Sequence, residues 1–188
     1  AALAHGRGMR VHLDGARFAN AVAGLDVEPA ALTWRAGIDL MSFGGTKNGC
    51  WAAEAIVVFE PGRFADLEIL KARAGQTFSN ARFVAAQFEA YLDNDNWLKT
   101  AGQANAMARR LADDLASSGK ARLAWKAEAN EVFAVLPDAA IGRLRAAGAM
   151  FYPWPTDEIT VASGETIVRL VTSFATAQQE VDRFVGLL

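Results

Sequence analysis

Two short apolar runs in the first fifty residues each end in a turn that carries a charged side chain. Met9 to Leu13 runs into Asp14-Gly15-Ala16, and Leu40 to Phe43 runs into Gly44-Gly45-Thr46-Lys47-Asn48-Gly49. Runs this short, bounded by Asp and Gly, read as buried strands. Between them, Arg17 to Leu25 reads as a short helix whose Ala19, Ala21 and Ala23 permit close packing, and Pro29 to Ala36 as a loop or short helical segment. The β-branched run Glu54 to Phe59 supplies a third strand. Strands alternating with helices in this order predict an α/β layered sheet.

A helix is predicted from Pro61, in the N1 manner, through Ala72. A longer helical region starts near Ser79, breaks or kinks at Asp93-Asn94-Asp95-Asn96, and resumes from Trp97 to Leu115. After Ser117-Ser118-Gly119 the texture changes to short strands, at 121–125, 131–136, 150–154 and 166–173, around a helix at 138–147, with a second helix at 177–187 closing the chain. This change puts the expected domain boundary at 118, with one domain over 1–118 and a smaller one over 119–188.

Composition removes several classes of function. The 188 residues are 52% hydrophobic and 21% charged, which excludes a disordered or collagen-like chain. A net charge of −2 gives no electrostatic case for nucleic acid. No apolar run reaches the roughly 18 residues of a membrane span. Two histidines and one cysteine are too few for a zinc cage, so no metal is expected. Cys50 alone cannot form an intrachain disulfide, which fits a reducing, cytoplasmic setting.

Asp14 and Lys47 are the residues with a chemical case. An acid at the end of a buried strand stands where open α/β sheets place ligands, although such an acid can equally cap the next helix. Lys47 lies among glycines after a strand, but the phosphate-loop order G-x-x-x-x-G-K-[ST] fails, because Lys47 follows Thr46 and precedes Asn48. A lysine that forms a Schiff base is the better candidate; a solvated turn lysine is the plain alternative. Together the two meet what pyridoxal phosphate requires: an amine for its aldehyde and an acid for its ring nitrogen. Arg169 sits inside the apolar strand run Ile167 to Val171, where a charge needs a partner.

The segments HLDGAR and SFGGTKNG, with AEAIVVF, RFVAAQFEAYL, ANEVF and IVRLVTSFAT after them, resemble the low-specificity L-threonine aldolases. These belong to the beta-eliminating lyase and threonine aldolase group of fold-type I, aspartate-aminotransferase-like enzymes. The resemblance implies the later part of a large pyridoxal-phosphate-binding domain followed by a small α/β C-terminal domain. It implies that Asp14 pairs with the pyridinium nitrogen, that Lys47 carries the cofactor, and that Arg17 and Arg169 bind the substrate carboxylate. The implied reaction is retro-aldol cleavage of L-threonine- or L-allo-threonine-type β-hydroxy-α-amino acids to glycine and an aldehyde, in a homodimer or homotetramer. The family's phosphate-gripping loop and ring-stacking histidine come earlier in the chain, so the resemblance also implies a C-terminal part of a longer enzyme. His12 is read as a structural histidine and Cys50 as inert packing. The competing readings are another fold-type I enzyme, such as an aminotransferase or β-eliminating lyase, and an inactive partial chain.

Overall fold

The computed structural model describes residues Ala1–Leu188, which divide into two units, Ala1–Lys99 and Thr100–Leu188. In the first, a short helix α1 (Ala2–His5) leads to strand β1 (His12–Gly15), helix α2 (Phe18–Leu25) and strand β2 (Leu40–Gly44). β1 and β2 are parallel, with Asp14 opposite Ser42, and β3 (Glu54–Val58) closes the sheet antiparallel to β2. Helices α3 (Leu67–Arg73) and α4 (Ala81–Leu92) follow, and α5 (Asn96–Ser117) begins in this unit.

β1 lies later than the apolar run suggests. The expected strand at Met9 to Leu13 becomes His12–Gly15, because the backbone of Val11 is occupied elsewhere. Val11 N–H donates to the Asp39 carboxylate at 2.7 Å, and the Val11 carbonyl accepts from Asp39 N–H at 3.0 Å. The strand therefore carries Asp14 itself instead of stopping before it. The helix expected from Pro61 splits into a single 3-10 turn, Pro61–Arg63, and α3. The break expected at Asp93 to Asn96 is a 3-10 turn with Asn94 and Asp95 at positive φ, 48° and 56°.

Alternation along the strands gives the sheet two unlike faces. Met41 and Phe43 are buried on one face, where their cross-strand partners Leu13, Ala55 and Val57 are half-buried. Phe43 lies within 5.7–6.1 Å, ring centre to ring centre, of Phe18, Phe88, Tyr91 and Trp97. Burying a side chain of this size contributes about 1.5–3 kcal/mol, and here it anchors the end of β2 immediately before the glycines. The opposite face carries His12, Asp14, Glu54 and Ile56, all exposed.

Asp39 ties the start of this unit together. Besides Val11, its carboxylate accepts from His5 Nε2 at 2.9 Å and Arg63 Nη1 at 3.3 Å. The Val11 N–H first, then the His5 hydrogen bond, hold its carboxyl below the ordinary value of 3.8. A carboxyl depressed in the folded state contributes stability that is full above the unfolded value and lost as pH falls through the folded one. Asp39→Asn is therefore expected to lower the Tm at neutral pH, with the gap to the parent protein closing only as pH drops below 3.8. Thermal unfolding followed from neutral pH down through the carboxylate range checks this; a gap independent of pH would assign the loss to packing.

The second unit is a four-stranded antiparallel sheet in the order β4-β5-β7-β6. Its strands are β4 (Arg122–Leu123), β5 (Glu131–Pro137), β6 (Tyr152–Pro153) and β7 (Glu165–Val171), with helices α6 (Asp138–Ala146) and α7 (Gln178–Gly186). Val132, Ala134, Leu136, Val168 and Leu170 form the buried face, packed with Leu115 of α5, Leu144 of α6 and Val181 of α7. The boundary expected at 118 falls at the end of α5. By packing the chain divides earlier, at Lys99/Thr100, because Ala108, Leu111, Ala112 and Leu115 belong to the core of the second unit.

Candidate active site

β1 and β2 run parallel, so their carboxyl ends lie on one edge of the sheet, where open α/β sheets take ligands. Asp14 is exposed near the end of β1, and Lys47 is exposed three residues past β2. Asp14 Oδ1 accepts the Ala16 N–H at 3.0 Å, which closes the turn after the strand. The N-cap of α2 is Arg17, with no side-chain cap, so Asp14 does not cap the helix. His12, on the same face, shares a hydrogen bond with Ser42 Oγ at 3.2 Å through its Nε2.

Lys47 is the middle residue of a one-turn 3-10 helix, Thr46–Asn48. Gly45, before it, is closed against the protein's own loop. A Cβ on Gly45 would stand 2.7 Å from Cys50 Sγ and 3.2 Å from the Ala53 carbonyl. Gly49, at φ 118°, supplies the left-handed step that ends the turn. Thr46 Oγ1 receives Ala53 N–H at 3.1 Å, and Gly45 N–H donates to the Ala53 carbonyl at 2.8 Å. Burial first, and then the Glu54 charge, raise the Cys50 thiol above its ordinary value.

Sequence reasoning missed three residues here. Asn48 is buried, and its Nδ2 donates to Tyr91 Oη at 2.7 Å and to the Trp97 carbonyl at 2.8 Å. Gln87 Oε1 accepts from Trp51 N–H at 2.9 Å and Ala52 N–H at 3.1 Å. Glu54 starts β3 opposite Gly44, at the same sheet edge. Burial pushes the Tyr91 phenol up, so its oxygen stays neutral and accepts from Asn48. An asparagine beside a lysine in a turn gives no sequence signal of burial; only its distant partners do.

Arg17 is half-buried at the start of α2. In the second unit, Arg169 lies on the sheet face opposite the helices. Its guanidinium stands 5.2 Å from the Trp154 ring centre and 3.7 Å from Glu131 Oε1. Phe133 joins this face, with Trp125 and Trp154 each at 5.3 Å. The partner that the apolar strand demanded for Arg169 is thus a carboxylate and an indole. An apolar cleft of about 300 Å³ in the same unit, lined by Leu111, Leu144, Phe151, Val181 and Phe184, includes none of the four candidates. No group of three or more His, Cys, Asp and Glu stands close enough to hold a metal ion, and no helix is long and apolar enough to cross a membrane.

The α/β arrangement around this parallel strand pair is the aspartate-aminotransferase-like, fold-type I fold. The chain belongs to the beta-eliminating lyase family, whose model matches residues 1–139. It is 45% identical over 145 residues to a low specificity L-threonine aldolase of Pseudomonas aeruginosa, covering 77% of this chain and 42% of that one. To a low specificity L-threonine aldolase of another Pseudomonas species it is 38% identical over 178 residues, covering 88% and 51%. The solved threonine aldolase of Leishmania major superposes with a TM-score of 0.85 at 28% identity, over 99% of this chain and 53% of that one. The chain spans about half the length of the curated relatives it matches.

Proposed function

We propose that the intact protein carrying this chain is a pyridoxal-phosphate-dependent aldehyde-lyase that cleaves L-threonine-type β-hydroxy-α-amino acids to glycine and an aldehyde. One observation carries the reading: Asp14 and Lys47, both exposed, stand at the carboxyl ends of adjacent parallel strands. The donor set fits the cofactor. Asp14 keeps Oδ2 clear of hydrogen bonds within the chain, and Lys47 offers an exposed primary amine.

When bound, pyridoxal phosphate supplies an electron-withdrawing ring that stabilises negative charge on the substrate Cα. Lys47 would hold it through Nζ, and the Asp14 carboxylate would keep a proton on its ring nitrogen. Arg17 binds the substrate carboxylate with the two-pronged geometry that a guanidinium matches; Arg169 shares the role by its match to the family motif. In the reaction the β-hydroxyl gives up its proton and becomes the aldehyde oxygen. The Cα–Cβ electron pair stays on Cα, which takes a proton to yield glycine. The resemblance further supports a homodimer or homotetramer in the cytoplasm.

The direct test supplies the intact, cofactor-loaded protein with L-threonine and L-allo-threonine. Equimolar glycine and acetaldehyde are expected. Release of ammonia and a 2-oxo acid from serine, without threonine cleavage, would favour β-elimination and overturn the proposal. A substitution checks the arginine role. A charge-assisted hydrogen bond is worth about 1.5–3 kcal/mol, so Arg169→Lys should raise KM about 10–100-fold with kcat little changed. Steady-state kinetics with L-threonine reads both parameters; an unchanged KM removes Arg169 from substrate binding.

A further inference from the structure

We infer that Asn48 and Tyr91 are positioning residues for Lys47, acting as a buried clamp that fixes the turn from which the lysine projects. The inference rests on the proposal that Lys47 carries the cofactor and extends it to residues outside the reacting set.

A single 3-10 turn has too few hydrogen bonds to hold its own conformation, and this one is flanked by glycines on both sides. Its direction must be set from outside. Thr46, before the lysine, is bound only to Ala53, inside the same loop. Asn48, after it, is the residue of the turn that reaches the rest of the unit. It is 3% exposed, and its two donor bonds run to Tyr91, 43 positions away, and to the carbonyl of Trp97, 49 positions away.

Both acceptors are themselves immobilised. Tyr91 and Trp97 pack against Phe43, which ends the buried face of β2 one residue before Gly44. The clamp therefore closes a ring: β2 leads into the lysine turn, the turn is bonded to Tyr91 and Trp97, and both aromatics return to β2. An amide is suited to this place because it presents two N–H donors from one atom to two acceptors. Aspartate offers none at that atom, and a longer glutamine would push the turn away from the aromatics.

A reacting group displaced by about 1 Å can cost on the order of 10²-fold in rate. Asn48→Ala in the intact, cofactor-loaded protein is accordingly expected to lower kcat by roughly 10²-fold, with a smaller change in KM. The pH midpoint of the visible absorbance of lysine-bound cofactor should shift with it. Tyr91→Phe removes one acceptor and leaves the Trp97 bond, so its effects should be smaller in the same direction.

A second readout needs no activity and serves where Asn48→Ala folds poorly. Amide hydrogen exchange in the cofactor-free protein should speed up over residues 45–50 in both variants and stay unchanged in β3. Parent-like kcat, absorbance midpoint and loop exchange in either folded variant, with only Tm lowered, would overturn the clamp. Failure of the underlying reading shows separately. Borohydride reduction of the parent holoenzyme followed by peptide mass mapping must find the pyridoxyl label on Lys47; a label on another lysine rejects the cofactor assignment whatever the variants do.

Discussion

Lys47→Ala in the intact protein is expected to lose the visible absorbance of lysine-bound cofactor and to lower turnover by about 10⁴-fold or more, the scale seen when a group that works as a unit with its partners is removed. The size follows from the role: without an amine at this position nothing in the turn can hold the aldehyde of the cofactor. The position is also one where alanine itself does little harm to the fold. Lys47 is exposed, and the turn is held by Asn48, Thr46 and the Ala53 backbone, none of which involves the lysine side chain. A folded variant with parent Tm and no absorbance is thus the anticipated result. If absorbance and turnover both survive, Lys47 is a solvated turn lysine and the cofactor assignment falls.

Asp14→Asn tests the electronics instead of the attachment. The variant is expected to bind cofactor on Lys47 at full occupancy while kcat drops about 10²–10⁴-fold, the range that a side chain placed to hold or move a proton contributes. Asparagine keeps the shape and can still accept the Ala16 N–H through its side-chain oxygen, so the turn after β1 survives. What it removes is the negative charge that keeps a weakly basic ring nitrogen protonated. The two substitutions are complementary: the first abolishes the absorbance, the second preserves it and loses rate. Turnover close to that of the parent in Asp14→Asn, with occupancy confirmed by absorbance, would leave Asp14 with only its turn-closing bond.

Much of this site is legible in one dimension because its parts are local. The strand ends, the acid in HLDGAR and the lysine in SFGGTKNG lie within short segments whose apolar runs and glycines mark strand and turn directly. Periodicity located α5 for the same reason, the signal being a pattern of neighbours; the expected strands at 131–136 and 166–173 match β5 and β7 within two residues, whereas those at 121–125 and 150–154 shrink to the two-residue β4 and β6.

The parts that were not legible depend on residues far apart in the chain. β1 starts at His12 and not at Met9 because a carboxylate 28 positions away takes the Val11 N–H. The division at Lys99/Thr100 was hidden because α5 is one uninterrupted helix, and which core its alanines and leucines join is a tertiary fact. Asn48 carries the same lesson at the site. By itself the sequence determined the candidates, an acid and an amine, each placed at or just past the end of a strand. Only the tertiary structure decided what holds them there, since a polar side chain in a glycine turn is ordinarily solvated, and burying it depends on acceptors that folding alone brings within reach.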